Sequence, residues 1–258
     1  MKKTIKENSI NLGDRLAIMS QIKDDTVDFI FTSPPYNVNK DYKNHNDMMD
    51  YDEYLEFLND TWIEAKRILK DGGRIAINVA SITYHNEYKA LYSDIIQQLL
   101  NLDLIMRCEI IWYKQTISNR TAWGSWKSPS NPYVVQPYEF IFVFSKNTKK
   151  HTGNKTDIDI TRDEFIEYSN SFWSLKPETR LSKKHPAPFP EQLVYRLLKF
   201  YTYQNDLVLD MFGGSGTTAV VSKKLNRKYI YIDNSKEYLL FAKQRIKDVG
   251  KDGADNKG

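Results

Sequence analysis

Apolar residues along the chain alternate between two spacings. Val27, Phe29, Ile30 and Phe31 form a short, nearly continuous apolar run, which predicts a buried strand over 27–31. The run stops at Thr32-Ser33-Pro34-Pro35, where two residues without N–H donors end any ladder and a loop must begin. From 51 to 70, Tyr54, Phe57, Leu58, Trp62, Ala65, Ile68 and Leu69 recur at helical spacing, and Asp71-Gly72-Gly73 is expected to end that helix. A strand is predicted over 74–79, a second helix over 88–102, and further strands over 104–113 and 138–144. Leu193, Val194, Leu197, Leu198 and Phe200 mark the apolar side of a helix over 191–201. A strand over 207–209 then runs into a glycine-rich turn, a helix over 219–225 and a strand over 229–232. Strands alternating with helices predict an α/β fold with a mostly parallel sheet covered on both faces.

Two stretches break the alternation. Residues 115–136 carry Trp123, Trp126 and Tyr133 among polar residues, punctuated by Pro129, Pro132 and the adjacent Pro137. Residues 146–184 are rich in Lys, Asn, Thr and Asp and include Phe172-Trp173. Both exceed the usual length of a connection, which points to function rather than linkage. The chain is accordingly divided into 1–114, 115–184 (which contains the strand 138–144), 185–247, and a tail at 248–258 expected to be disordered.

Composition narrows this only slightly. Lys and Arg number 37 against 33 Asp and Glu, a net charge of +4, too small a surplus to single out a nucleic-acid binder. Cys108 is the one cysteine, which excludes an intramolecular disulfide and a thiolate zinc site. Its apolar neighbours predict a small buried core residue. No metal site is expected. No run approaches the roughly 20 apolar residues that span a bilayer, so the chain is expected to be soluble and cytoplasmic.

Candidate chemistry begins at Asp210-Met211-Phe212-Gly213-Gly214-Ser215-Gly216-Thr217-Thr218, which follows one predicted strand and opens a helix. Glycines there let a ligand approach the backbone, and the helix start offers free N–H donors. Asp233 ends the next strand, where a carboxylate can accept both ribose hydroxyls of a nucleoside. A glycine-packed turn with no ligand would use some of the same residues. The glycines do not follow the dinucleotide spacing, and no Gly-Lys-Ser/Thr follows them. A compact glycine cluster without a phosphate-binding lysine suits a nucleoside lacking phosphates, and S-adenosylmethionine is one.

Ser33-Pro34-Pro35-Tyr36 also follows a strand, where open α/β sheets place their ligands. Prolines hold the backbone in a rigid frame and leave carbonyl acceptors exposed. An amino group on an extruded base needs two acceptors for its hydrogens, which Ser33 Oγ and the Pro34 carbonyl can supply. Tyr36 offers a face for stacking. Alignment of the nitrogen lone pair then replaces the need for a strong base. By themselves these four residues suit a strand terminator with a core tyrosine equally well; their pairing with the glycine loop favours the chemical reading.

The succession of motifs resembles the site-specific DNA amino-methyltransferases, which methylate cytosine N4 or adenine N6. Asn11-Leu12-Gly13-Asp14, Val27-Asp28-Phe29-Ile30-Phe31-Thr32-Ser33-Pro34-Pro35-Tyr36-Asn37, Leu69-Lys70-Asp71-Gly72-Gly73-Arg74-Ile75, Phe172-Trp173, His185-Pro186-Ala187-Pro188-Phe189-Pro190-Glu191 and the 210–218 loop match in order, over nearly the whole chain. The catalytic loop precedes the cofactor loop, with a polar insertion between them, as in the family's β group. The resemblance implies a circularly permuted, Rossmann-like methyltransferase fold. Residues 1–114 would form its catalytic half, 115–184 its target-recognition region and 185–247 its cofactor half. It also implies S-adenosylmethionine as cofactor, double-stranded DNA as substrate, pairing into a homodimer through the sheet domain, and a companion restriction endonuclease.

By the same resemblance Ser33, Pro34, Pro35 and Tyr36 are catalytic. Asp14, His185, Pro186, Phe189, Asp210, Phe212, Gly214, Ser215, Gly216, Thr217, Thr218 and Asp233 would line the cofactor pocket. Met211 stands where proline is usual and Asp233 where glutamate is also frequent, yet neither removes a needed group. Arg120, Trp123, Trp126, Lys127 and Lys183 are candidates for DNA contact, against a satellite aromatic cluster and solvated lysines as the alternative. Lys146, Lys149, Lys150 and Lys155 suit a phosphate-contacting loop or plain surface equally well. Serine before Pro-Pro-Tyr resembles the cytosine-N4 members more than the adenine-N6 members, which usually carry Asp or Asn there. An adenine-N6 enzyme, an RNA or protein methyltransferase with a related loop, and a catalytically idle DNA-binding relative are the other readings. The order of the loops and the long insertion count against the second, and the intact motifs against the last.

Overall fold

The computed structural model describes residues 5–37, 48–84, 87–115, 124–181 and 187–250. Its principal sheet is built from β1 (Ser9–Leu12), β2 (Val27–Thr32), β3 (Leu69–Val79), β6 (Ile105–Tyr113), β7 (Tyr138–Ser145), β8 (Phe172–Ser174), β9 (Leu207–Asp210) and β10 (Lys228–Asp233). The short strands β4 (Ile82–Tyr84) and β5 (Glu87–Lys89) pair separately. The order across the sheet is β1-β10-β9-β2-β3-β7-β6-β8. β7 runs against both of its neighbours, and the other seven strands share one direction. The C-terminal ends of those seven and the N-terminal end of β7 therefore lie along one edge of the sheet.

β2 sits between β3 and β9 and is buried at every residue, which is why its sequence reads as a nearly unbroken apolar run. One face is covered by α1 (Arg15–Met19), α2 (Tyr51–Ile68) and α3 (Leu91–Asn101), whose Met19, Leu58, Trp62 and Leu99 join a core with Ile30, Ile75 and Phe142. The other face receives α4 (Arg162–Tyr168) and α5 (Glu191–Tyr201), with Tyr168, Leu193 and Leu197 packed on Phe29, Phe31 and Val143. α6 (Thr217–Lys224) and α7 (Lys236–Asp248) close a third cluster around Tyr231 and Ala242. The polar 146–184 stretch is tied to this body by Arg227, whose guanidinium donates to both Asp159 carboxylate oxygens at 2.5 and 2.7 Å.

Four expectations need correction. Asp71-Gly72-Gly73 does not end α2; the helix stops at Ile68 and the glycines lie inside β3. They permit a bulge there, since the partners of β2 jump from Leu69 to Arg74 between Val27 and Phe29. Cys108 is half-buried rather than enclosed, with its Sγ 3.0 Å from the Tyr201 hydroxyl. Lys146 is not a free phosphate contact. It is buried, donates to Asp25 at 2.6 Å and to the Leu69 carbonyl at 2.8 Å, and follows the end of β7 that lies away from the edge described above. α7 continues through Asp248, a residue assigned to the tail; residues 251–258 lie outside those described.

Two glycines decide how tightly the 210–218 turn can fold. A Cβ on Gly213 would stand 2.3 Å from the Tyr231 ring, and one on Gly216, at φ +77°, would stand 2.6 Å from the Ala242 Cβ. Gly216 therefore combines a left-handed backbone with a close helix contact. Gly216→Ala is expected to lower unfolding stability by roughly 1–3 kcal/mol, read from the urea midpoint at constant slope; an unchanged midpoint would refute the packing argument.

Candidate active site

The shared sheet edge carries one large cavity of about 630 Å³. At one end it is lined by Gly13, Asp14, Arg15, Phe189, Phe212, Gly213, Gly214, Ser215 and Asp233. At the other it is lined by Ser33, Pro34, Pro35, Tyr36, Asn78, Trp112, Lys114 and Glu139. The glycine loop and the Pro-Pro-Tyr loop, far apart in sequence, thus open into one space.

Asp233 shapes the first end. Its carboxylate accepts the Gly214 N–H at 2.8 Å and the Ser235 N–H at 2.7 Å, and a carboxylate has further lone pairs for a ligand. Burial holds its carboxyl above the usual range despite those bonds. The Tyr231 hydroxyl donates to the Gly214 carbonyl at 2.9 Å, fixing the turn from beneath. Asp14 caps α1, accepting from the Leu16 and Ala17 N–H groups at 2.9 and 3.0 Å. Arg15 lies 3.5 Å over the Phe57 ring and donates to the Phe57 carbonyl at 2.8 Å; burial brings its pKa down to about 10.

Asp210, Gly216, Thr217 and Thr218 stand behind the cavity rather than in its wall. Asp210 accepts from Thr32 Oγ1 at 2.9 Å and Thr218 Oγ1 at 2.7 Å, while Thr217 Oγ1 accepts from Arg245 at 3.0 Å. These residues build the loop and are not among those that line the cavity. Phe189 lines the cavity and meets Phe31 edge-on at 5.0 Å. His185 and Pro186 lie outside the described residues, as do Arg120, Trp123 and Lys183.

The second end is held by three ties. Tyr54 donates to the Pro35 carbonyl at 2.6 Å, and the Asn37 amide makes two bonds with the Met49 backbone, at 2.8 and 2.7 Å. Tyr36 is buried, with its hydroxyl 3.0 Å from Ser33 Oγ and 3.2 Å from Glu139 Oε2. Asn78 Nδ2 donates to Glu139 Oε2 at 2.6 Å and lies 3.3 Å from Ser33 Oγ. The other Glu139 oxygen accepts from Lys114, whose ammonium stands 5.2 Å over the Trp112 ring. Sequence reasoning singled out none of Arg15, Asn78, Lys114 and Glu139. The available signal was a charge at the end of each of two apolar strands, Lys114 just after β6 and Glu139 in β7.

Trp126 is 65% exposed on a short hairpin closed by a Gly124–Pro132 bridge, with the Lys127 ammonium 5.6 Å from its ring. This hairpin lies between β6 and β7, whose neighbouring ends carry Lys114 and Glu139 into the cavity. Asp28, His151 and Asp206 bring ligand-type atoms within 4.8 Å of one another among the described residues. Their oxygens already accept from Lys70 at 2.7 Å, the Leu207 N–H at 2.9 Å and the Tyr203 N–H at 2.8 Å, and His151 pairs with Asp206. That cluster is a structural tie.

The sheet order and the cavity shared by the glycine loop and the Pro-Pro-Tyr loop define an α/β protein whose two loops meet at one ligand-sized site. The sequence profile of the N6/N4 methyltransferases, described as DNA methylase, matches residues 27–244, and the chain belongs to that family. It is 38% identical over 175 residues to the type II methyltransferase M.MjaVI of Methanocaldococcus jannaschii, covering 68% of this chain and 90% of that protein. A protein of Thermus thermophilus assigned as a DNA modification methylase, solved in complex with S-adenosyl-L-methionine, superposes with a TM-score of 0.76 at 23% identity, over 93% of each chain. The cytosine-N4-specific PvuII DNA methyltransferase superposes at 0.73 and 19% identity, over 94% of this chain and 87% of that one. No helix among the described residues is long and apolar enough to cross a membrane.

Burial raises the Asp210 carboxyl from 3.8 to about 6, against the hydrogen bonds it accepts. The native state therefore binds the extra proton between those values. Stability present below about pH 4 is lost as pH rises through 6, by about 1.4 kcal/mol per unit. Asp210→Asn removes this slope, so variant minus wild-type unfolding free energy is expected to rise by about 2–3 kcal/mol from pH 4 to 7. Parallel urea-unfolding curves across that range would exclude Asp210 as the source.

Proposed function

We propose that the protein transfers the methyl group of S-adenosylmethionine to the exocyclic amino nitrogen of a base in double-stranded DNA, with cytosine N4 favoured, as the modification enzyme of a restriction-modification system. The observation that carries this reading is the single cavity joining the Asp233 end to the Ser33 end. Its volume lies in the range of ligand sites. The chain's own groups suit the cofactor: a glycine turn open to close approach, a half-buried carboxylate for ribose hydroxyls, and the Phe212 and Phe189 rings as apolar wall. The cofactor supplies an electrophilic methyl group. The protein supplies alignment: Ser33 Oγ and the Pro34 carbonyl accept the two amino hydrogens, which turns the nitrogen lone pair towards the incoming carbon. The Pro35 carbonyl is already taken by Tyr54. The target base reaches this pocket by leaving the duplex, and the Tyr36 face stacks against it.

Serine in place of a carboxylate or carboxamide at position 33 supports cytosine N4 by resemblance. The type II naming of the M.MjaVI relative supports the restriction-modification setting. Trp126 and Lys127, exposed beside the cavity's strand ends, are assigned to the DNA-contacting surface, and 115–184 to target recognition.

DNA from cells expressing the chain, digested to nucleosides and resolved by mass spectrometry, is expected to contain N4-methylcytosine. N6-methyladenine alone would reverse the choice of base, and no methylated nucleoside would overturn the reading. Ser33→Ala is expected to slow methyl transfer roughly 100-fold with cofactor affinity retained, as measured with methyl-labelled cofactor and by calorimetry.

A further inference from the structure

Ser33 is a neutral acceptor, and its usefulness depends on where its own proton points. Among the described residues the Tyr36 hydroxyl, with one hydrogen, reaches Ser33 Oγ at 3.0 Å, Glu139 Oε2 at 3.2 Å and the Asn78 backbone carbonyl at 3.4 Å. A bond to a carboxylate is roughly twice as strong as one between neutral groups, so the phenol proton goes to Glu139. The Ser33–Tyr36 contact is then filled by the serine proton. That leaves the lone pairs of Ser33 Oγ for the cavity that Ser33 lines and for Asn78 Nδ2 at 3.3 Å, which also lies 3.2 Å from the Tyr36 hydroxyl. Without the carboxylate, the phenol proton is free to turn onto Ser33 Oγ and occupy the acceptor the amino group needs.

A second observation points the same way. Asn78 is 2% exposed, and its Oδ1 has no hydrogen-bond partner among the described residues. Turning the amide over would set Oδ1 against Glu139 Oε2 at the 2.6 Å now occupied by Nδ2, so the carboxylate dictates the orientation that strands this oxygen. Glu139 is itself buried, and Lys114 balances its charge.

We infer that Glu139 is a positioning residue for methyl transfer, acting through the Tyr36 hydroxyl to hold Ser33 as an acceptor. The inference rests on the amino-methyltransferase reading above. Glutamine at 139 would offer one acceptor oxygen where Lys114, Asn78 and Tyr36 all donate.

The test is a double-mutant cycle on single-turnover methyl transfer, using saturating methyl-labelled S-adenosylmethionine and unmodified genomic DNA. Glu139→Gln and Tyr36→Phe are each expected to lower the rate constant 10-fold or more, with S-adenosylhomocysteine affinity within twofold of wild type. The double variant is expected to be no more than threefold slower than the slower single one. Multiplying effects, or a loss carried by cofactor affinity alone, would overturn the inference. Should Glu139→Gln fail to fold, Glu139→Asp keeps the charge beside Lys114 but withdraws it from Tyr36. A 10-fold rate loss at an unchanged melting temperature supports the inference, and a full rate overturns it. Wild-type protein that places no methyl on a base amino group would instead overturn the underlying reading.

Discussion

The Asp210 carboxylate is the joint on which the two halves of the site depend. One oxygen accepts from Thr32, the last residue of the strand before the Pro-Pro-Tyr loop, and the other from Thr218 in the first turn of α6. Thr32 and Asp210 are 178 residues apart in the chain. A buried carboxylate is an expensive tie, and burial raises its pKa accordingly. An apolar contact would avoid that cost, but it would not bring three hydrogen-bond donors, Thr32, Thr218 and the Phe212 N–H at 3.1 Å, to one point at the base of both loops.

Sheet topology explains why such a joint is possible. Because β2, β9 and β10 are parallel, the loops after them leave from the same edge. Because β7 is antiparallel, its first residues, Glu139 among them, lie on that edge rather than the far one. The inserted hairpin with Trp126 is carried by the neighbouring ends of β6 and β7, so it too belongs to that edge. The reversal of one strand thus adds a buried charge to the site. The same reversal sends Lys146 to the opposite side, where it ties Asp25 and the Leu69 carbonyl instead of meeting a ligand.

The two ends of the cavity are rigid for different reasons. At the Asp233 end the constraint is steric: Gly213 and Gly216 lie so close to Tyr231 and Ala242 that no side chain fits. At the Ser33 end it is electrostatic, with Lys114, Asn78 and Tyr36 converging on Glu139. A site that works by alignment needs both, since misplacement of either partner removes the advantage of proximity.

The sequence by itself determined the central strands and helices, the mostly parallel α/β class and the two loops that open into the cavity, because these reside in local periodicity and in Pro and Gly at fixed places; β1, α1, α4, β8 and α7 were not read from it. The 191–201 helix was legible to the residue from its apolar stripe. Where local signals competed, the reading failed: Gly72-Gly73 looks like a helix stop, but pairing of β3 with β2 drew both glycines into a bulged strand. Ser33 and Asp233 were legible as candidates from their place after or at the end of a strand and Asp14 from the family resemblance, and all three line the cavity. Only the tertiary structure decided that Asp210 and Thr218 support the cavity rather than line it, and that Asn78, Lys114 and Glu139 meet behind Ser33. The contacts of Asn78 and Lys114 with Glu139 join residues 61 and 25 positions apart, and their geometry depends on strand order and direction, which no local pattern encodes.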